Sequence, residues 1–554
     1  MIDPSPAAVL TARVPSPSSP LPSRHRSLGV LAELAGFLGA TVVALLAMAH
    51  LVLSGRSTVF FYSGDSVLMP LVERSLREGQ PFEWAMSSVL FFVPEIPVYT
   101  TIAAIVPGVH ADLVVNAIVI LVALYAILRG LIGVVLPQAR RRLKIAVALA
   151  PIAVLLVCSL MEHTDHRGTL ELVSLFLTTT YYYGTTLALV GTIALMIGAV
   201  AGSSVRRRRA ALAGIVLTAT LATFSNPLFA LWATVPGALA LALLFRRGLV
   251  ARRPLVVTAA TLVGGSVLGY LARTPLQKYV SIELGHYFRF DRMMHSISFY
   301  VDDYFSTASS WQGAVEMTLL TVAVTGVLAI ALVALIRRWP TRITLGLTTS
   351  ATSILVTVAV AIVLGTTATR YLMPLFFAPT AASVVLAAYA VERIPQLTGL
   401  RLRRPGRRIP GALVAVSVAL ASVVGVAATR VIESAPSTQT YAAATCLAHW
   451  VGNRDLTGVG RFWTMRALKT YGSPAVKILQ ISADYNASLW LDNAADYTGQ
   501  DISYLVVDHL SSFSESPVAE LGPPVTTITC GEYSILDYLG TKGETILTQR
   551  VGDS

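Results

Sequence analysis

The chain has 554 residues, 54% of them hydrophobic and only 13% charged, with a mean hydropathy of +0.67. That balance excludes a soluble globule and is the composition of an integral membrane protein. The formal net charge of +12 raises nucleic acid as a partner only until the charges are placed along the chain.

Residues 1–28, rich in Pro and Ser with a few Arg, read as a disordered N-terminal segment. Eleven apolar runs follow at 29–54, 111–136, 144–161, 184–204, 210–226, 227–245, 255–272, 313–336, 343–364, 371–391 and 411–430. Each is close to the about 20 residues that cross a hydrocarbon core. The boundary between 210–226 and 227–245 rests on the Ser225-Asn226-Pro227 turn.

The segments that share one side of this arrangement hold 24 Lys or Arg against two acids, Asp3 and Glu392, whereas the other side holds 17 against 25. Basic loops stay cytoplasmic, so a multi-pass cell-membrane protein is predicted, with its N-terminus inside and its C-terminal domain outside. The basic excess is topogenic and gives no support to a nucleic-acid partner. Long outside loops are expected at 55–110, 162–183 and 273–312.

In the first of these, Ser66–Glu78 predicts an amphipathic helix on the membrane surface. Leu68, Leu71, Val72 and Leu76 share one face, Glu73, Arg74, Arg77 and Glu78 the other, and Gly79 and Pro81 stop it. Residues 88–106 are apolar, yet they carry Pro94, Glu95 and Pro97, and a span there would move Arg140, Arg141 and Arg142 to the wrong side. A lid or interfacial helix is expected instead.

The membrane body ends near 430, and residues 431–554 form a polar tail. Helical patterning at Tyr441–Val451 and Phe462–Tyr471 is interleaved with strand-like runs at Val476–Ser482, Ile502–Val507, Thr526–Thr529 and Tyr533–Leu536. The expected fold is therefore an all-α polytopic membrane domain of about eleven helices with a small C-terminal α/β extracytoplasmic domain. Cys446 and Cys530 both fall in that domain, where an oxidising setting favours a disulfide; Cys158 lies in a span, and no Cys/His metal spacing is present.

Acids are sparse in the outside loops. Asp65 opens the first, Glu162, His163, Asp165 and His166 open the second, Asp302 and Asp303 lie in the third, and Arg370 follows the ninth run. Converging loops would make a pocket of carboxylates, imidazoles, aromatic rings and an arginine at the lipid–water boundary. Such a set suits sugar transfer from a lipid phosphate to a hydroxyl: a carboxylate takes the proton and an arginine holds the departing phosphate.

Several features together resemble the GT-C class of membrane glycosyltransferases: the first span, the early acid Asp65, the surface helix ending at Gly79, the stretch Pro94-Glu95-Ile96-Pro97-Val98-Tyr99, and the second span. The likeness covers roughly residues 1–180 and the topology. It implies a polyprenyl-phosphate-linked sugar donor, an envelope glycan, lipid or protein acceptor, and membrane lipid as surroundings. It further implies Asp65 as catalytic base, Glu162 or Asp165 as a second acid, and Arg370 on the donor phosphate, with Tyr62, His163, His166 and Glu95 as pocket candidates. A divalent cation (Mg or Mn) on Asp65 and Asp165 stays open, because Asp65 stands alone before Ser66-Val67 rather than in an Asp-x-Asp pair. The tail lacks a Trp-Trp-Asp run.

Plainer readings stand beside these. Asp65 is also a suitable N-cap for the helix that follows, and Glu162–His166 a solvated loop or cap. Arg370 can snorkel, as can Arg129 in the second run, and Tyr181-Tyr182-Tyr183 and Trp311 fit an interfacial aromatic belt. A transporter or lipid flippase, or a non-catalytic envelope scaffold with a polymer-binding tail, are the alternative functions. Few charges lie deep in the runs, which counts against transport. Richness in Ala, Val, Leu and Arg with little Lys suggests a GC-rich bacterial genome.

Overall fold

The computed structural model describes residues 24–280, 289–398 and 441–552. In chain order the helices are α1 (Arg24–Leu53), α2 (Leu68–Arg77), α3 (Glu95–Ala103), α4 (Val109–Val135), α5 (Arg141–Met161), α6 (Leu172–Phe176) and α7 (Tyr183–Ala201). They continue as α8 (Val205–Ser225), α9 (Val235–Arg246), α10 (Arg252–Leu271), α11 (Met293–Ala308), α12 (Trp311–Ile336), α13 (Thr341–Val363) and α14 (Pro374–Thr398). Backbone groups in lipid have no water to bind, so long apolar runs close their own hydrogen bonds as helices.

Eight helices among the described residues are long and apolar enough to cross a membrane: α1, α4, α5, α7, α10, α12, α13 and the stretch Thr369–Arg393 that contains α14. The protein is a multi-pass helical membrane protein. Three of the eleven expected runs differ. Run 210–226 lies in α8, whose first turn carries Arg206–Arg209. Run 227–245 breaks into a π-helical turn, Ala230–Thr234, and the 12-residue α9. The last, 411–430, lies outside the described residues. Arg129, expected to snorkel, instead forms an ion pair with Glu33 of α1 at 2.5 Å, and so ties α4 to the first helix.

The 88–106 segment contains only the nine-residue α3, about 14 Å long at 1.5 Å per residue, too short to cross. The surface helix is α2, and its Leu68, Leu71 and Val72 are buried while Leu76 is 44% exposed. Its opposite face is partly covered: Arg74 and Ser75 meet the C-terminal domain, while the Arg77 side chain stays 69% exposed.

That domain holds a five-stranded mixed sheet in the order β3-β2-β5-β7-β6, with β2 at Thr457–Gly460, β3 at Lys477–Gln480, β5 at Ile502–Val507, β6 at Thr526–Cys530 and β7 at Tyr533–Asp537. β2 pairs in parallel with β3 and β5, and β7 runs antiparallel to β5 and β6. The internal strand β2 was not anticipated: its sequence Thr-Gly-Val-Gly is poor strand material, but the Tyr504 ring of β5 occupies the space that a side chain at 458 would need. Cys446 and Cys530 form a disulfide with Cα atoms 5.7 Å apart.

The domain is fastened to the first loop by a short antiparallel pair, β1 (Trp84–Ala85) with β4 (Asp492–Asn493). Arg74 donates to the Lys469 carbonyl at 3.1 Å, Asn493 Nδ2 to Ser75 Oγ at 3.1 Å, and Tyr471 Oη to the Phe61 carbonyl at 2.8 Å.

Candidate functional site

Asp65 lies between a π-helical turn, Thr58–Tyr62, and α2. Its loop is held from below by two threonines that precede α7: Thr180 Oγ1 donates to the Asp65 carbonyl at 2.8 Å and Thr179 Oγ1 to the Ser66 carbonyl at 3.0 Å. From above, Phe462 of the C-terminal domain presses so closely on Gly64 that a Cβ there would lie 2.8 Å from its ring.

The capping reading of Asp65 is replaced by the geometry. The N-cap of α2 is Val67, with no side-chain cap bond, and Ser66 Oγ donates to the Val59 carbonyl instead. The Asp65 carboxylate faces Arg370, Oδ2 lying 3.8 Å from Nη1. Asp65 is buried, yet its carboxylate faces charge and not backbone amides.

Arg370 belongs to a 3-10 turn, Thr369–Leu372. Its Nε donates to Tyr182 Oη at 3.2 Å, and its guanidinium carbon lies 5.9 Å from the Tyr181 ring centroid and 5.6 Å from that of Tyr371. Tyr182 and Tyr371 are parallel to within 6°. Tyr182 adopts a left-handed backbone, φ +63°, a conformation that costs a non-glycine residue about 1–3 kcal/mol and is retained where surrounding packing over-determines it. The aromatic-belt reading of Tyr181–Tyr183 is therefore corrected: all three are buried, and the first two frame the arginine.

Arg167 stacks on Trp463 of the C-terminal domain at 3.4 Å. Burial lowers its pKa, the Asp65 charge supports it, and Arg370 opposes it. Burial is also the main reason the Tyr181 hydroxyl is raised, with the Asp65 charge adding to it. Asp65 thus stands among arginines and phenols from the second loop and the Arg370 turn, with Trp463 of the tail behind Arg167.

The second-loop acids do not join this group. Glu162 is fully buried, and its two carboxylate oxygens accept the backbone N–H groups of Val173 at 2.6 Å and Ser174 at 2.7 Å, at the start of α6. Burial pushes its pKa up, Arg56 lowering and Glu171 raising it. Among the described residues no hydrogen bond or ion pair joins Glu162 to Asp65. Asp165 and His166 face solvent, their side chains 68% and 86% exposed, 3.7 Å apart. His163 turns to the Met161 carbonyl at 3.1 Å and to Glu171 at 3.3 Å.

Sequence reasoning missed what organises that loop. Arg56 and Glu171 form a buried ion pair at 3.4 Å. Arg56 also donates to Ser174 Oγ and to the carbonyls of Thr164, His166 and Glu171. The available signal was a lone arginine directly after Gly55 at the end of the first span.

The remaining pocket candidates lie at packing interfaces. Tyr62 stacks on Tyr441 at 4.6 Å and its hydroxyl meets His110 Nε2 at 3.1 Å, so it serves the contact between loop and C-terminal domain. Glu95 is buried, with Oε1 accepting the Gly184 N–H at 3.3 Å and Oε2 unpartnered among the described residues. Burial pushes its pKa up to about 8, against the two backbone hydrogen bonds that lower it. No group of three or more His, Cys, Asp or Glu placed to hold a metal ion occurs among the described residues. Asp65 and Asp165 have separate surroundings, one facing Arg370 and the other solvent.

Two apolar cavities adjoin the Arg370 turn. One, of about 220 Å³, is lined by Val89, Pro227, Leu231, Trp232, Val360 and Tyr371. The other, of about 350 Å³, is lined by Tyr300, Val301, Phe305, Leu320, Ile362 and Leu372. Ala361 borders both. The consecutive residues Arg370, Tyr371 and Leu372 thus pass from the charged site to each cavity wall.

Comparison with solved structures finds the chain similar to ArnT from Cupriavidus metallidurans bound to undecaprenyl phosphate, with a TM-score of 0.48, 12% identity, and coverage of 93% of this chain and 99% of that one. The apo state of the same ArnT gives 0.45, 14%, 93% and 98%. An apo oligosaccharyltransferase from Archaeoglobus fulgidus gives 0.45, 11%, 85% and 69%. No family model matches the chain, and no curated protein does. The chemistry that follows is carried by this chain's own residues.

Proposed function

We propose that this protein is a GT-C-type membrane glycosyltransferase that moves a sugar from a polyprenyl-phosphate donor to a hydroxyl of a cell-envelope acceptor. The observation that carries the reading is Asp65 facing Arg370 at 3.8 Å, on a turn whose next two residues line apolar cavities. A carboxylate and a guanidinium at one spot, with apolar space adjoining, match a ligand that has a hydroxyl to deprotonate, a phosphate to hold and a hydrocarbon tail to bury.

In this scheme Asp65 takes the proton of the acceptor hydroxyl as its oxygen bonds to the anomeric carbon. The bond from that carbon to the phosphate oxygen breaks, and the electron pair leaves with the lipid phosphate. Arg370 stabilises that charge, and Arg167, anchored on Trp463, adds a second cation. The Tyr182 hydroxyl, accepting from Arg370 Nε, fixes the fork's orientation. The asymmetric distribution of basic residues supports a site on the outer face, where only a membrane-held donor is at hand.

The test is transfer from a set of polyprenyl-phosphate sugars by the purified chain, followed by the Asp65→Asn variant. Loss of product by about 100-fold or more is expected, with unchanged expression and melting. Near-normal transfer by that variant would remove Asp65 from the role of base.

A further inference from the structure

Arg466 lies in the Phe462–Tyr471 helix of the C-terminal domain, one turn beyond Phe462, the residue pressed on Gly64. Its side chain is 1% exposed and its guanidinium carbon sits 4.7 Å from the Phe462 ring centroid. Nη1 donates to the Leu491 carbonyl at 2.7 Å, but Nε and Nη2 are buried and unpartnered among the described residues. Trp490, whose ring is 4.6 Å from that of Phe462, has a buried and unpartnered Nε1 as well.

The neighbouring cation behaves differently. Lys469, one turn further on, is matched by Asp492 at 3.1 Å and Asp496 at 2.8 Å. Arg466 has no carboxylate at ion-pair distance among the described residues, and burial lowers its pKa against the fields of Asp492 and Asp65. A guanidinium and an indole can only donate. Leaving such donors buried and unpaired is destabilising, and a bound acceptor relieves it.

We propose that Arg466 and Trp490 form a roof over the Asp65 loop that binds an anionic oxygen, phosphate or carboxylate, of the substrate held there. The proposal rests on the reading that substrate binds over Asp65. It gives the C-terminal domain a share in the site: the β1–β4 pairing and the Phe462 contact hold the roof in register with the loop. The anion belongs either to the lipid donor or to an acidic acceptor.

The experiment is titration of the purified full-length chain with a polyprenyl monophosphate and, separately, with inorganic phosphate. Arg466→Gln is expected to weaken at least one probe by about tenfold, Trp490→Phe to weaken the same probe by about threefold, and Arg466→Lys to fall between wild type and Arg466→Gln. Weakened lipid binding assigns the anion to the donor; weakened inorganic phosphate alone assigns it to the acceptor. Removing a ligand-binding arginine leaves the unliganded melting temperature unchanged or raised. If Arg466→Gln fails to fold, Trp490→Phe decides by itself. Binding of both probes within about twofold of wild type in the variants that fold overturns the proposal. The readout is binding, so a chain that binds phosphate through Arg466 and transfers no sugar removes the transferase reading and leaves this one.

Discussion

Two acids follow spans in this chain, and the structure treats them in opposite ways. Glu162 is met by two backbone amides at 2.6 and 2.7 Å; Asp65 is met by an arginine 3.8 Å away, while the hydrogen bonds from Thr179 and Thr180 that hold its loop go to backbone carbonyls. Burial is common to both. What separates them is who satisfies the oxygens. A carboxylate saturated by amides is committed to holding a loop, whereas one opposed by a side-chain cation keeps lone pairs for a ligand.

The strongest way to break this comparison is to neutralise each acid in the same assay. Asp65→Asn is expected to lose transfer by about 100-fold or more with unchanged melting. Glu162→Gln, which replaces one acceptor with a donor against a buried amide, is expected to lose about 1–3 kcal/mol of stability and to keep its rate within about threefold. Equal loss of rate in both would erase the distinction.

Arg370→Gln comes next. Loss of the cation that meets the departing phosphate is expected to lower kcat by about 100-fold with little change in KM for the acceptor. A change confined to melting would reduce Arg370 to a structural partner of Asp65.

Glu95 sharpens the comparison by pH. Its folded pKa is raised from 4.5 to about 8 by burial, so the native state keeps a proton that the unfolded chain releases. Stability is therefore expected to fall as pH rises from about 4.5 towards 8, and Glu95→Gln to flatten that fall and exceed wild type at pH 8. A melting profile with the same slope in both proteins would contradict it. The smallest effect is expected from Asp165→Asn with His166→Gln: within about 0.5 kcal/mol in stability, as for other exposed positions, and unchanged transfer.

Much of the fold was legible because membrane spans are written in local hydropathy and need no partners to be recognised. Two of the tail's helices and four of its strands were legible for the same local reason, while the Lys542–Gly552 helix was not anticipated; β2 was not legible, because Gly458 and Gly460 are strand-like only beside Tyr504 and Met465. The site was partly legible. Asp65 and Arg370 stood out as charges among apolar neighbours, but nothing local distinguished Asp65 from Glu162, or told that Tyr181 and Tyr182 would turn inward.

By itself the sequence determined the helical membrane class, the place of the long loops and the polar tail, since each depends on residues close together in the chain. Only the tertiary structure decided that Asp65 meets Arg370 across 305 positions, that Glu162 is a cap, and that Phe462 of the tail closes over the first loop. Those outcomes depend on which elements pack together, and a carboxylate's role is set by the donors that packing brings to it.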